Sequence, residues 1–348
     1  MIKIDDLLNI AVERKASDIH VVANKVPILR IDGVLVEVAG VEPLLPSDTY
    51  QLVFSILSER QKEYFVKDRE LDISYEVAGG ARFRVNCHWE RNNVGLVARI
   101  ISAKIPTLEE LLMPAVVFDM LRQKQGLILV TGPTGCGKST ALAAMINFVN
   151  NERSEHIVTL EDPIEFLYES KKSIIKQRQL GTDMVSFQEA LKHVLRQDPN
   201  VIMVGEMRDL ETIAATITLA ETGHLVMATL HTFNAAQTVD RIIDVFPPYQ
   251  QDQVRIQLSL VLKGIIALQL LPRKSGGRIA SREILVNTPA ISNLIRENKI
   301  SQVKTVLQTS AEEGMMTMDH DLKRLFEAGE ITQEIAQAYM LDPHALIK

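Results

Sequence analysis

The spacing of apolar positions changes partway along the chain. Residues 5 to 16 place Leu7, Leu8, Ile10 and Val12 at helical spacing and predict a first helix with these on its core side. After Asp18-Ile19-His20, the run Val26 to Val38 alternates apolar and polar residues around Asp32-Gly33, the signature of a two-residue hairpin turn. Pro46-Ser47-Asp48 opens a second helix, expected to run to about Phe65. Leu71 to Val77 and Arg82 to Asn86, separated by Gly79-Gly80, predict a second hairpin, and Val94 to Ile101 a further strand. This first part therefore reads as α+β and mostly antiparallel. Ser102 to Pro114 carries two prolines and little periodicity, as expected of a linker.

Beyond it the pattern alternates strand and helix, which predicts a mostly parallel sheet covered by helices. Leu127 to Val130 is a short apolar strand, and Ala141 to Ile146 reads as a helix. His156 to Leu160 is the next strand, and Ser186-Phe187-Gln188-Glu189 has the form of a capping box opening a helix to about Gln197. Val201 to Val204 is apolar on both faces, as a central parallel strand should be. A helix from Leu210 to Thr222 stops at Gly223, and Leu225 to Leu230 forms a strand ending at His231. A helix from about Tyr249 precedes strands at Ile265 to Leu271 and Arg278 to Val286, joined through Ser275-Gly276-Gly277. From Thr288 the chain reads as four short amphipathic helices. The expected domains are residues 1–101, a linker over 102–114, a core over 115–287 and a helical subdomain over 288–348.

Chemistry enters between the first strand and helix of that second part. Gly132-Pro133-Thr134-Gly135-Cys136-Gly137-Lys138-Ser139 satisfies G-x-x-x-x-G-K-[ST] in the strand–loop–helix context that the phosphate-binding loop requires. Glycines let several backbone N–H groups face one phosphate, and the helix N-terminus adds partial positive charge. Lys138 is expected on the β- and γ-phosphates of ATP, Ser139 on Mg²⁺, and Thr140 completes the loop. A cysteine at such a helix start is either an acidified thiol or a small filler, so both readings of Cys136 stay open.

Parallel strands present ligands at their carboxyl ends, where Glu161, Asp162, Glu206 and His231 all fall. Glu206 is expected to polarise the attacking water, the alternative being a carboxylate that caps the following helix. Glu161, Asp162 and Glu165 form an acidic cluster suited to Mg²⁺ or its water shell, or simply a solvated Asp-Pro turn. His231 is a candidate sensor of the γ-phosphate. His224, beside Gly223, fits helix capping nearly as well as catalysis, and His20 reads as structural. Arg82 and Arg84 lie two apart on one strand face and are candidate arginine fingers, with Arg91 and Arg99 as further arginines of that half.

Composition narrows the class. The 348 residues are 46% hydrophobic and 24% charged with net charge −6, which suits two cored domains and argues against a nucleic-acid binder. The two cysteines, Cys87 and Cys136, lack metal-ligand spacing, so neither zinc nor a disulfide scaffold is expected. No apolar run reaches the roughly 18 residues that a membrane span needs, and MIKIDDLL does not resemble a signal peptide; a cytoplasmic protein is expected.

The segments VTGPTGCGKST, IVTLEDPIEF, DPNVIMVGEMRD and ETGHLVMATLHTFNAAQTVDRIIDVFPP resemble, in order and spacing, the Walker A, Asp, Walker B and His boxes of the type II/IV secretion ATPases. The likeness is to the PilT-like branch of type IV pilus retraction motors, and extends to ASDIH and GARFRVN in the first part. It implies a PAS-like α+β N-terminal domain followed by a RecA-like P-loop ATPase domain with a small C-terminal helical subdomain. It also implies a homohexameric ring with nucleotide between the two domains, reached by arginines of the first. The motor would work peripherally at the inner membrane on a pilus platform protein and drive twitching motility. The extension branch's extra domains and four-cysteine zinc site have no counterpart here. One departure is Ser292, in Ala290 to Glu297, where the branch reads AIRNLIRE with arginine at that position. An accessory pilus or type II secretion paralogue without autonomous retraction, a RecA-like nucleic-acid translocase, and a nucleotide-binding regulator without turnover are the competing readings.

Overall fold

The computed structural model describes residues 2–31, 33–101 and 104–346. Asp32 of the expected hairpin turn, and Ser102 and Ala103 at the start of the expected linker, lie outside the described residues. The chain forms two compact units, Met1–Lys104 with Pro163–Leu167, and Ile105–Asp162 with Tyr168–Lys348.

The first unit contains α1 (Ile4–Glu13), β1 (Asp18–Val21), β2 (Ile28–Ile31), β3 (Val34–Glu37), α2 (Pro46–Ser55), α3 (Glu59–Asp68), β4 (Glu70–Glu76), β5 (Arg82–Glu90) and β6 (Asn93–Ile101). Its strands form one six-stranded sheet in the order β3-β2-β1-β6-β5-β4, antiparallel at every pairing. Leu7, Leu8, Phe65, Phe83 and Leu96 meet in its core.

Three local expectations need correction here. The first helix starts at Ile4 and buries Ile4, Leu7, Leu8 and Ala11, an i, i+3, i+4, i+7 stripe that leaves Val12 exposed. The single helix expected to reach Phe65 is two, because Ser58 starts a new one: its side chain accepts from the Gln61 N–H, and its own N–H donates to Gln61 Oε1 at 2.9 Å. The hairpin's second arm does not bury alternate residues; β3 is an edge strand, and Val34, Leu35 and Val36 are all exposed.

The second unit contains α4 (Ala115–Leu121), β7 (Gly126–Thr131), α5 (Lys138–Glu152), β8 (His156–Glu161), β9 (Ile174–Gln179), α6 (Phe187–Val194), β10 (Val201–Val204), α7 (Leu210–Glu221), β11 (Leu225–Leu230), α8 (Ala235–Asp244), α9 (Pro248–Val261), β12 (Leu262–Pro272), β13 (Arg278–Val286), α10 (Pro289–Arg296), α11 (Val303–Thr309), α12 (Met318–Glu327) and α13 (Gln333–Tyr339). The seven strands run in the order β13-β12-β7-β11-β10-β8-β9. All pairings are parallel except β12 with β13. The central strands β7, β10 and β11 are buried along their whole length. That is why they read as continuous apolar runs.

Sequence periodicity did not single out α4, β9 or α8. β9 is an edge strand whose outward positions carry Lys176 and Arg178, so it lacks an apolar run. Leu108 and Met113 of the expected linker are buried in the core with Val117 and Leu121. The carbonyls of Leu111 and Leu112 accept from the guanidinium of the fully buried Arg282. At the C-terminus α10 buries Ile291, Leu294 and Ile295 in the main core. Ala290, expected on that apolar side, is exposed. Ser292 Oγ donates to the Ser259 carbonyl near the end of α9 at 2.8 Å. The helices α12 and α13 close a separate small core with Leu271 and Ile279 of β12 and β13.

Candidate nucleotide site

The loop between β7 and α5 takes a shape that only glycine permits. Gly132, Gly135 and Gly137 have φ of +140°, +78° and +98°. A Cβ on Gly132 would stand 2.4 Å from the Leu268 carbonyl and 2.5 Å from Cys136 Sγ. Left-handed Gly137 is the N-cap of α5, so the first amides of a fifteen-residue helix open onto the loop, where an anion is stabilised. Thr134, Gly135 and Ser139 are exposed, Pro133 and Thr140 are half-buried, and Cys136 is buried. Burial pushes the Cys136 thiol up against the opposing pull of Lys138, so the cysteine is a filler rather than an acidified nucleophile.

Lys138 lies back over the loop. Its Nζ donates to the carbonyls of Gly132 at 2.8 Å and Pro133 at 3.1 Å and stands 3.4 Å from His231 Nδ1. The other ring nitrogen, Nε2, is 3.0 Å from Glu206 Oε1, and Glu206 Oε2 is 2.8 Å from Arg208 Nη2. Asp162 Oδ2 is 4.0 Å from Arg208 Nη1. The fold thus gathers Lys138, His231, Glu206 and Asp162 from four segments onto one sheet edge, with Arg208 bridging the carboxylates. Partial burial pushes the Glu206 carboxyl up, but Arg208 and His231 together outweigh it and hold it below the ordinary value of 4.5. Capping of α7 falls to Asp209, which accepts from the Thr212 N–H at 2.8 Å, leaving Glu206 with its charged partners.

Glu161 ends β8 and is only 6% exposed. One oxygen, Oε1, accepts from Thr159 Oγ1 at 2.6 Å and Gln177 Nε2 at 3.0 Å. Glu165 does not join it. It belongs to the first unit, where it is 3.6 Å from Arg84 Nη1. The expected cluster of Glu161, Asp162 and Glu165 is therefore split, and among the described residues no group of three His, Cys, Asp or Glu is arranged to hold a metal.

Arg82 and Arg84 share one face of β5 in the first unit. Arg82 donates to Ser74 Oγ at 3.0 Å and lies 3.8 Å from Glu76. Arg99 pairs with Asp18 at 2.8 Å, and Arg91 occupies the β5–β6 turn with φ of +50°. His224 Nδ1 lies 3.0 Å from the Leu219 carbonyl at the end of α7, a capping contact. His20 is half-buried, and burial, with Arg30 adding to it, lowers its pKa. Arg208, Thr159 and Gln177 escaped the sequence reading. The position of Arg208 two residues after Glu206 was a visible signal, whereas Gln177 becomes a partner only through β9.

The chain matches the family model described as type II/IV secretion system protein over residues 1–340. It is 46% identical over 334 residues to the type IV pilus retractation ATPase PilT of Pseudomonas aeruginosa, covering 96% of this chain and 97% of that one. To the type IV pilus ATPase PilU of the same organism it is 42% identical over 336 residues, covering 96% and 88%. It superposes on the crystal structure of the pilus retraction motor PilT with bound ADP at a TM-score of 0.92, with 45% identity and 100% and 99% coverage.

Proposed function

We propose, for a chain that belongs to the type II/IV secretion system protein family, that it is an ATPase motor coupling ATP hydrolysis to type IV pilus retraction and twitching motility. The observation that carries this reading is the junction of Lys138, His231 and Glu206 at the mouth of the glycine loop, within a chain so similar to PilT. The loop from Gly132 to Thr140 cradles the phosphates, with Lys138 leaving its carbonyl contacts for the β- and γ-phosphates. Glu206, ionised and held between Arg208 and His231, orients the attacking water. His231 touches both Lys138 and Glu206, so it links phosphate occupancy to the carboxylate.

ATP enters as its Mg²⁺ complex. The exposed Ser139 hydroxyl and the Asp162 and Glu161 carboxylates are hard oxygen donors that suit Mg²⁺, which supplies charge neutralisation when bound. We read the first unit as a PAS-like domain and the second as a RecA-like core with its C-terminal helices. The working form is a homohexamer, cytoplasmic and peripheral to the inner membrane, acting on a pilus platform protein. Arg82 or Arg84 serves as the finger that stabilises transition-state charge.

The test has two stages. Purified chain should hydrolyse Mg-ATP, Lys138→Ala should bind nucleotide poorly, and expression in a pilated strain lacking its retraction motor should restore twitching. No phosphate release by the assembled parent would refute the motor reading. For the finger, alanine at the working arginine should lower kcat by about 10³–10⁵ with the oligomer intact. Full activity of the Arg82→Ala/Arg84→Ala double variant would exclude both.

A second reading, an accessory paralogue that hydrolyses ATP without retracting alone, draws on Ser292, which stands where the resembled branch has arginine. Sustained hyperpiliation in the same complementation, with ATPase activity intact, would favour it.

A further inference from the structure

Glu283 lies on β13, outside every motif that pointed to the nucleotide site. Its side chain meets the starts of two helices. The N–H of Ala235, the first residue of α8, donates to Glu283 Oε1 at 2.9 Å. The N–H of Met318, the first residue of α12, also donates to this carboxylate. A carboxylate at a helix N-terminus satisfies an amide that the helix cannot, and the helix dipole adds to the attraction. Burial pushes the Glu283 carboxyl up and Asp319 adds to this, while the two helix amides and Lys304 oppose it.

The α8 end of this tie leads back to the nucleotide site. Only three residues separate Ala235 from His231, and they are fastened to the first turns of α8. Thr232 Oγ1 is 2.7 Å from Thr238 Oγ1, the Phe233 N–H donates to Gln237 Oε1 at 3.4 Å, and Asn234 Oδ1 accepts from the Gln237 N–H at 2.9 Å. Where α8 begins therefore decides where Thr232 sits, and His231 is its neighbour. The α12 end has an independent anchor: buried Asp321 accepts from the Arg282 N–H at 2.9 Å and pairs with Arg324. The body of α8 is also held, by Val239, Ile242 and Ile243 in the main core, so loss of Glu283 would shift the start of α8 rather than free either helix.

We propose that Glu283 is a positioning residue for ATP hydrolysis, holding the first amide of α8 so that His231 keeps its contact with Glu206 and Lys138. The inference rests on the motor reading above. It gives the strand β13 a say in turnover through α8, independently of the C-terminal helices.

The test uses the full chain and three variants, Glu283→Ala, Glu283→Gln and Leu325→Ala. Leu325 belongs to α12 itself and is fully buried on the side facing the small core, so its truncation loosens α12 without altering the carboxylate. Steady-state kinetics with Mg-ATP and the ring nitrogen resonances of His231 are measured well below each unfolding midpoint. Glu283→Ala should lower kcat roughly 10–100-fold, as removal of a group that orients an active-site histidine does, with KM nearly unchanged. Its His231 resonances should move. Glu283→Gln keeps one acceptor and should recover much of the loss. Leu325→Ala should lower Tm yet keep kcat and the His231 resonances of the parent.

Parent-like kcat and His231 resonances in folded Glu283→Ala would overturn the proposal, as would an equal loss of kcat in Leu325→Ala. If Glu283→Ala fails to fold, Glu283→Gln decides on the same readouts: it should keep a measurable part of the loss in kcat and of the His231 shift, and parent-like values of both would overturn the proposal. A parent that does not hydrolyse ATP would refute the motor reading, and the His231 resonances alone would then decide the role of Glu283.

Discussion

Glu161 and Glu206 both follow apolar strands of the same parallel sheet, yet the fold gives them opposite surroundings. The ladder between β8 and β9 runs on to Glu161, which is paired with Gln179, so the carboxylate stays inside the sheet with neutral donors, Thr159 and Gln177. The ladders of β10 end at Val204, and Glu206 lies two residues further on, with its side chain 23% exposed between Arg208 and His231. One carboxylate is fixed and shielded. The other is partly hydrated and governed by charges. Acids at strand ends therefore differ in kind: how far the neighbouring strand extends decides whether the carboxylate is shielded inside the sheet or left partly hydrated among charges.

The largest expected effect separates the two directly. Glu206→Gln keeps the shape of the side chain and its contact with His231 but removes the charge proposed to orient water. Its kcat should fall by about 10²–10⁴ while nucleotide affinity is retained, and excess Mg²⁺ should not restore it. Parent-level turnover by Glu206→Gln would remove it from the chemistry.

Glu161→Gln should behave differently. If the shielded carboxylate serves the metal side, the Mg²⁺ concentration needed for half-maximal turnover should rise roughly 10–100-fold, with recovery at high Mg²⁺. A Mg²⁺ titration decides this. A loss as deep as that of Glu206→Gln, and equally insensitive to Mg²⁺, would erase the distinction between the two residues.

The smallest effect concerns acidity. The folded-state pKa of Glu206 is depressed, so its ionisation stabilises the folded protein above the unfolded value of 4.5 and this contribution is lost as pH falls through the lower folded value. Burial alone acts upward, and Arg208 is the main opposing influence. Arg208→Ala should therefore move the acid limb of the kcat/KM profile to higher pH, a direction that a pH–rate series reads without needing large changes in rate. An unmoved limb would mean that another group controls it.

The conformation of the glycine loop is legible because every constraint on it is local. The φ angles of Gly132, Gly135 and Gly137, the helix start at Lys138 and the apolar strand before it are consequences of neighbouring residues. The strand-end positions of Glu206 and His231 followed from the same alternation of elements. Boundaries that depend on a single side chain, such as the helix restart at Ser58, were blurred by continuous periodicity. Elements without an apolar run, such as β9, went unread, and with them the partner of Glu161.

What this chain's sequence determined by itself is thus the class of its sheets, the shape of the glycine loop and the residues that reach the sheet edge, all set by period, glycine and adjacency. Only the tertiary structure decided which acid meets a histidine and which meets a glutamine, where the linker is clamped by Arg282, and that Glu283 receives two helix starts. Those contacts join residues 16 to 171 positions apart, counting Gln177 to Glu161 and Arg282 to Leu111. No local pattern encodes them, because they exist only once separate strands have been brought side by side and their side chains have lost the water that would otherwise satisfy them.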